Sequence, residues 1–131
     1  ERKKIKRKKI IDMQIKKTGK LFAFCCIAPV VIANQNVNVL RFFEKIGLEI
    51  GLLFQITDDL IDYKGISKKA GKKTKKDEKK GKATLISLLG YKNTIKYNNK
   101  IKNNILNKIK YYKNKSKNLK ETVLFIFERE K

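Results

Sequence analysis

The chain has 131 residues, the size of one ordinary domain and too few for two comfortable cores. Hydrophobic residues make up 41% of it, which excludes wholesale disorder, and 34 Lys+Arg stand against 12 Asp+Glu for a formal charge of +22. Such a charge ordinarily points to nucleic acid or an anionic membrane, but only Arg2, Arg7, Arg41 and Arg129 are arginines, and base readers lean on Arg for bidentate contacts. Lys, Asn and Ile crowd the sequence together, and the A/T-rich codons they share account for the charge without any selection for binding.

In chain order, the basic N-terminal stretch lacks the small-residue cleavage site of a secretory leader. The apolar period predicts a helix from about Ile10 to Ala33, with Gly19 and Pro29 as weak points. Its apolar run, Leu21 to Ala33, is shorter than the ~20 residues that span a bilayer, and Pro29 interrupts it, so the cytoplasm is the expected compartment. Cys25 and Cys26 are neighbours whose helical side chains diverge by ~100°, so both are expected to be reduced core residues. "NQNVN" reads as a turn in which Asn36 or Asn38 caps the next helix, Val39 to Tyr63. That helix carries Leu40, Phe43, Ile46, Ile50, Phe54 and Leu60 mostly three or four apart, and Gly47 and Gly51 suit close helix packing. Gly65 is expected to break it, and the Lys/Gly-rich stretch over 64–82 to form a surface loop. "ATLISLLG" gives a short helix ended by Gly90, followed by the amphipathic stretches "TIKYNNKIKNNILNKIKYYK" and "NLKETVLFIFERE". With no hairpin signal and no long repeat, the reading is a single all-α domain over 1–131.

The chemistry concentrates in "FQITDDLIDYKG", Phe54 to Gly65. Asp58 and Asp62 are four apart and stack on one helix face, Gln55 joins their stripe, and Asp59 lies ~100° round from Asp58. Phe54, Ile56, Leu60 and Ile61 imply partial burial, and unpaired buried carboxylates cost several kcal/mol each. A cation is therefore required. Salt bridges to lysines would serve; so would a hard ion such as Mg²⁺, which takes one or two carboxylates plus waters and phosphate oxygens. On the second reading Lys72 and Lys82, beside Gly71 and Gly81, become anion ligands. Spacing alone leaves both open.

"FQITDDLIDYKG" resembles the second aspartate-rich motif of the trans-polyprenyl diphosphate synthases, the farnesyl and geranylgeranyl diphosphate synthase type. The family pattern Phe-Gln-x-x-Asp-Asp-x-x-Asp is filled by Phe54, Gln55, Asp58, Asp59 and Asp62. "AGKK" stands where the family has a Gly-Lys pair, and "DEKKGKATLISLLG" resembles its Asp-x-x-x-Gly-Lys-x-Thr segment. Lys17, Thr18 and Gly19 supply its Lys-Thr-Gly, and "EREK" is similar to the basic tail of bacterial members. The resemblance implies the C-terminal part of a helical bundle around an apolar cavity, although helical spacing serves an ordinary core equally well. It implies Mg²⁺ on Asp58, and less directly on Asp59 and Asp62. Lys17, Lys72, Lys82 and Arg129, with Lys131, are implied at the substrate diphosphate, and Lys17, Thr18 and Gln55 at the reacting centre. Implied substrates are isopentenyl diphosphate and an allylic diphosphate, with a short-chain product, farnesyl diphosphate first, and a homodimer at full length.

The sequence departs from the family at Gln14, where His is common, and at Leu85, where an aromatic residue is common. The first aspartate-rich motif is absent; the other acidic pair, Asp77-Glu78, belongs to the loop segment. The expectation is the C-terminal half of a synthase, inactive alone. Two alternatives stand beside it: a non-catalytic subunit that needs a complete partner, and a basic helical module binding nucleic acid through Tyr91, Tyr97, Tyr111 and Tyr112 among their lysines.

Overall fold

Where apolar residues recur every three or four positions, a helix buries them on one face, and every described element of this chain is a helix. The structure, a computed structural model, describes residues 7–69 and 84–129. In order these are α1 (Arg7–Gln14), a π-helical turn (Ile15–Gly19), α2 (Lys20–Ile32), α3 (Val37–Lys69), α4 (Leu85–Leu89), α5 (Tyr91–Ile109), a 3-10 stretch (Lys110–Ser116) and α6 (Lys117–Glu128).

The predicted first helix is present as α1 and α2, continuous through the π-helical turn. Pro29 sits inside α2 without ending it. The end comes five residues after Pro29, at Asn34, which adopts φ +47° while two reversed bonds close the turn: Gln35 N–H to the Val30 carbonyl (3.1 Å) and Asn34 N–H to the Val31 carbonyl (2.9 Å). Asn36 then caps α3, its side-chain oxygen accepting from the N–H groups of Asn38 (3.0 Å) and Val39 (3.1 Å).

The expected break at Gly65 does not occur, and α3 runs on to Lys69. A glycine inside a helix costs about 1 kcal/mol, less than a packed 33-residue helix can absorb when each further residue adds a hydrogen bond. The stretch read as loop therefore begins as helix, and 70–83 lie outside the described residues.

α3 is the axis of the molecule. On one side Ile46, Ile50, Leu53 and Ile56, each no more than 2% exposed, meet Ile101, Ile105 and Ile109 of α5 and Val123 and Ile126 of α6. On the other side it lies against α2 and the π-helical turn so closely that a Cβ on Gly47 would stand 2.5 Å from Ala23 Cα, and one on Gly51 2.6 Å from Gly19 Cα. Gly47 and Gly51 thus permit the close packing that their spacing suggested.

Thr84 caps α4, and Gly90 at φ +79° turns the chain directly into α5. The cysteines are both free, but the expectation of two core residues holds only in part: Cys25 is exposed and Cys26 half-buried, because adjacent residues of one helix cannot both face α3. Burial, and secondarily the neighbouring Cys25, pushes the Cys26 thiol above its ordinary pKa. Among the described residues no helix is long and apolar enough to cross a membrane.

Candidate functional site

The site forms where the π-helical turn and α1 cross the C-terminal half of α3. The two run antiparallel, and two hydrogen bonds join them. Thr18 Oγ1 donates to Gln55 Oε1 (3.1 Å), and Gln14 Nε2 donates to Asp59 Oδ2 (2.9 Å). Each step of four back along the first helix is matched by a step of four forward along α3, so the two bonds are successive rungs of one ladder, about one turn apart. The lower rung joins two residues predicted at the reacting centre. Lys17, beside Thr18, is exposed and has no ion-pair partner among the described residues.

The π-helical turn holds Lys17, Thr18 and Gly19 together. Such turns carry one residue more per hydrogen-bonded loop than the α-helix and are frequent at functional sites. Here the widened turn lies where Gly19 backs onto Gly51, so the backbones touch while the side chains on either side reach α3.

Asp58 faces a different neighbour. Arg129, just past α6, donates from Nη2 to Asp58 Oδ1 (2.6 Å) and to the Phe54 carbonyl (3.4 Å), and its guanidinium lies 4.2 Å over the Phe54 ring. The cation demanded by the clustered carboxylates is thus present, and among the described residues the ion pair to Asp58 comes from an arginine 71 positions away rather than from a lysine. Arg129, expected at the substrate diphosphate, sits on the carboxylate side of the site. Asp62 is exposed on the same face of α3, one turn further on. Lys72, Lys82 and Lys131 lie outside the described residues.

Among the described residues no three His, Cys, Asp or Glu side chains converge closely enough to cage an ion. Magnesium does not require a cage: one or two carboxylates with waters and phosphate oxygens suffice. Asp58 and Asp62, stacked at spacing four and open to solvent on one side, fit that donor set.

In the sequence Gln14 stood out only as a departure from the family pattern. Its signal was its place four residues before Thr18, matching the four from Gln55 to Asp59. About half a turn round α3 from these groups, Asn98 Nδ2 donates to Thr57 Oγ1 (3.0 Å), beside a cleft of about 140 Å³ lined mainly by Leu60, Ile61, Ile95 and Phe127. Of the four tyrosines weighed as a stacking surface, Tyr91 stacks on Tyr63, Tyr97 lies under Arg7, and Tyr112 packs on Phe42 and Phe43 and meets the exposed Tyr111 edge-on.

The sequence profile described as polyprenyl synthetase matches residues 1–123. The chain is 31% identical over 119 residues to the farnesyl diphosphate synthase of Micrococcus luteus, covering 91% of this chain and 41% of that protein. It is 39% identical over 77 residues to the farnesyl diphosphate synthase of Bacillus subtilis (strain 168), covering 56% of this chain and 25% of that protein. A geranyltransferase from Helicobacter pylori 26695 has the same fold, with a TM-score of 0.73 at 21% identity over 98% of this chain and 40% of that one. The chain thus spans about two fifths or less of the length of these relatives.

Proposed function

Since the chain belongs to the polyprenyl synthetase family, we propose that it forms the leaving-group side of a prenyltransferase that joins isopentenyl diphosphate to an allylic diphosphate. In that reaction the allylic C–O bond breaks and its electron pair leaves with inorganic diphosphate. The double bond of isopentenyl diphosphate attacks the resulting cation, and a proton is lost to restore a double bond. The barrier falls as charge developing on the departing diphosphate is neutralised.

The observation that carries this reading is the arrangement of the site: Asp58 and Asp62 on one face of α3, with Thr18 bonded to Gln55 across the helix ladder and Lys17 next to Thr18 in the π-helical turn. Bound Mg²⁺ would supply positive charge to the leaving diphosphate; Asp58, and less directly Asp59 and Asp62, are the residues that would hold it. Lys17 is an exposed point charge, suited to diphosphate oxygens. Thr18 and Gln55, locked to each other, present polar oxygen close to the developing cation without a charge that would trap it. Lys72 and Lys82 complete the diphosphate site in this proposal. The relatives' names support a short-chain product of the farnesyl or geranylgeranyl class, and a homodimer is proposed for the full-length protein.

The test is calorimetric titration of inorganic diphosphate into the 131-residue chain. Binding is expected with Mg²⁺, to vanish on chelation, and to weaken at least about tenfold in Asp58→Ala. No prenyl diphosphate should form from this chain alone. Sustained turnover by the 131 residues would overturn that part of the proposal, and binding indifferent to Mg²⁺ would overturn the metal site.

A further inference from the structure

We propose that Gln14 is the positioning residue of Asp59, an assignment that rests on the metal–diphosphate reading above. Gln14 is 4% exposed and reaches from α1 across to α3, 45 positions along the chain, to donate to the Asp59 carboxylate. Among the described residues its other polar atom, Oε1, is buried with no hydrogen-bond partner. Leaving an amide oxygen unsatisfied in this way costs about 1–3 kcal/mol. Packing alone does not call for an amide here, since Ile10, one turn earlier on the same face, is fully apolar and just as buried.

What the amide provides is direction. Asp58 and Asp59 are adjacent and diverge by ~100° round α3. Asp58 is drawn toward the C-terminal tail by Arg129, while Asp59 is drawn toward α1 by Gln14. Two neighbouring carboxylates that repel each other are thereby aimed at separate holders on separate elements. The Gln14–Asp59 bond is also one rung beyond the Thr18–Gln55 bond, so Asp59 is indexed to the same helix that carries Lys17. Partners that orient a ligating carboxylate are worth 10–100-fold in metal affinity.

The experiment is the Mg²⁺-dependent titration of inorganic diphosphate, repeated with Gln14→Met, which keeps length and volume but neither donates nor accepts strongly. The expected result is a loss of about 10–100-fold, recovered to within about threefold by Gln14→His, which retains a ring N–H. In an Asp59→Asn background, Gln14→Met should cost little more, because the residue acts through Asp59. A Met variant that binds like the parent overturns the inference, as does a loss that adds in full to that of Asp59→Asn, the mark of a merely structural role. If Gln14→Met melts the chain by circular dichroism, Gln14→Asn, one methylene too short to reach Asp59, takes its place with the same expectations. A parent chain that binds no diphosphate with Mg²⁺ overturns the proposed function itself, an outcome separate from any behaviour of Gln14.

Discussion

Arg129 shows how one side chain can answer a charge problem and create another. Its guanidinium holds Asp58 with a charge-assisted bond, stacks on Phe54 and reaches the Phe54 carbonyl, so the carboxylate is compensated without any metal. The same contact makes it a competitor for a cation at Asp58 and a partner for an anion bound there. These two effects have opposite signs. Arg129→Gln should therefore bind Mg²⁺ alone several-fold more tightly, because Asp58 loses a resident counter-ion. It should bind the Mg²⁺–diphosphate pair several-fold more weakly, because a cation facing the anion is gone. Titration of each ligand separately checks the prediction; parallel changes in both would show that Arg129 serves only to pin the tail. Nothing in the sequence announced this pair. Asp58 was visible as part of a periodic stripe, but the residue opposite it lies 71 positions away, and only tertiary packing brings the end of α6 onto α3. Gln14 was hidden for the same reason, while Thr18 and Gln55 were found through motifs rather than through their contact.

The helices themselves were far more legible, because period and capping are local. Asn36, one of the two caps that the polar turn offered, caps α3, and Gly90 ends α4. The failures were local as well. Glycine was read as a breaker at residue 65 although a helix tolerates one, and the π-helical turn left no mark because Ile15–Gly19 keeps the same polarity pattern as an α-helix. The glycines of α3 therefore give opposed predictions. At Gly65 a Cβ would meet nothing within 4 Å, so Gly65→Ala should raise stability by up to about 1 kcal/mol through helix propensity alone. At Gly47 the new methyl would collide with the Ala23 and Phe22 backbone, which cannot rotate away, and Gly47→Ala should cost about 2 kcal/mol after its propensity gain. Thermal melts followed by circular dichroism should move in opposite directions for the two variants. A neutral Gly47→Ala would mean that α2 and α3 separate easily.

At the scale of the whole molecule, charge and an uncovered apolar face pull against each other. Ala23 and Val30 turn one side of α2 toward α3, which leaves Leu21, Phe24, Val31 and Ile32 on the opposite side, 58–85% exposed. Contiguous exposed apolar surface of this kind marks an interface or a liability to associate. The +22 charge opposes association by mutual repulsion. Salt screens that repulsion, the Debye length falling from roughly 30 Å at 0.01 M to about 8 Å at 0.15 M, and leaves hydrophobic contact intact or strengthened. Association of the 131-residue chain should therefore increase with salt, the reverse of what contact through charged groups would give. Sedimentation at several protein concentrations and two ionic strengths is the measurement. The double variant Phe24→Lys, Ile32→Lys places two charges on that stripe and should sediment as a monomer at both. Persistence of the oligomer in the variant would move the interface elsewhere, and dissociation of the parent by salt would assign it to charge.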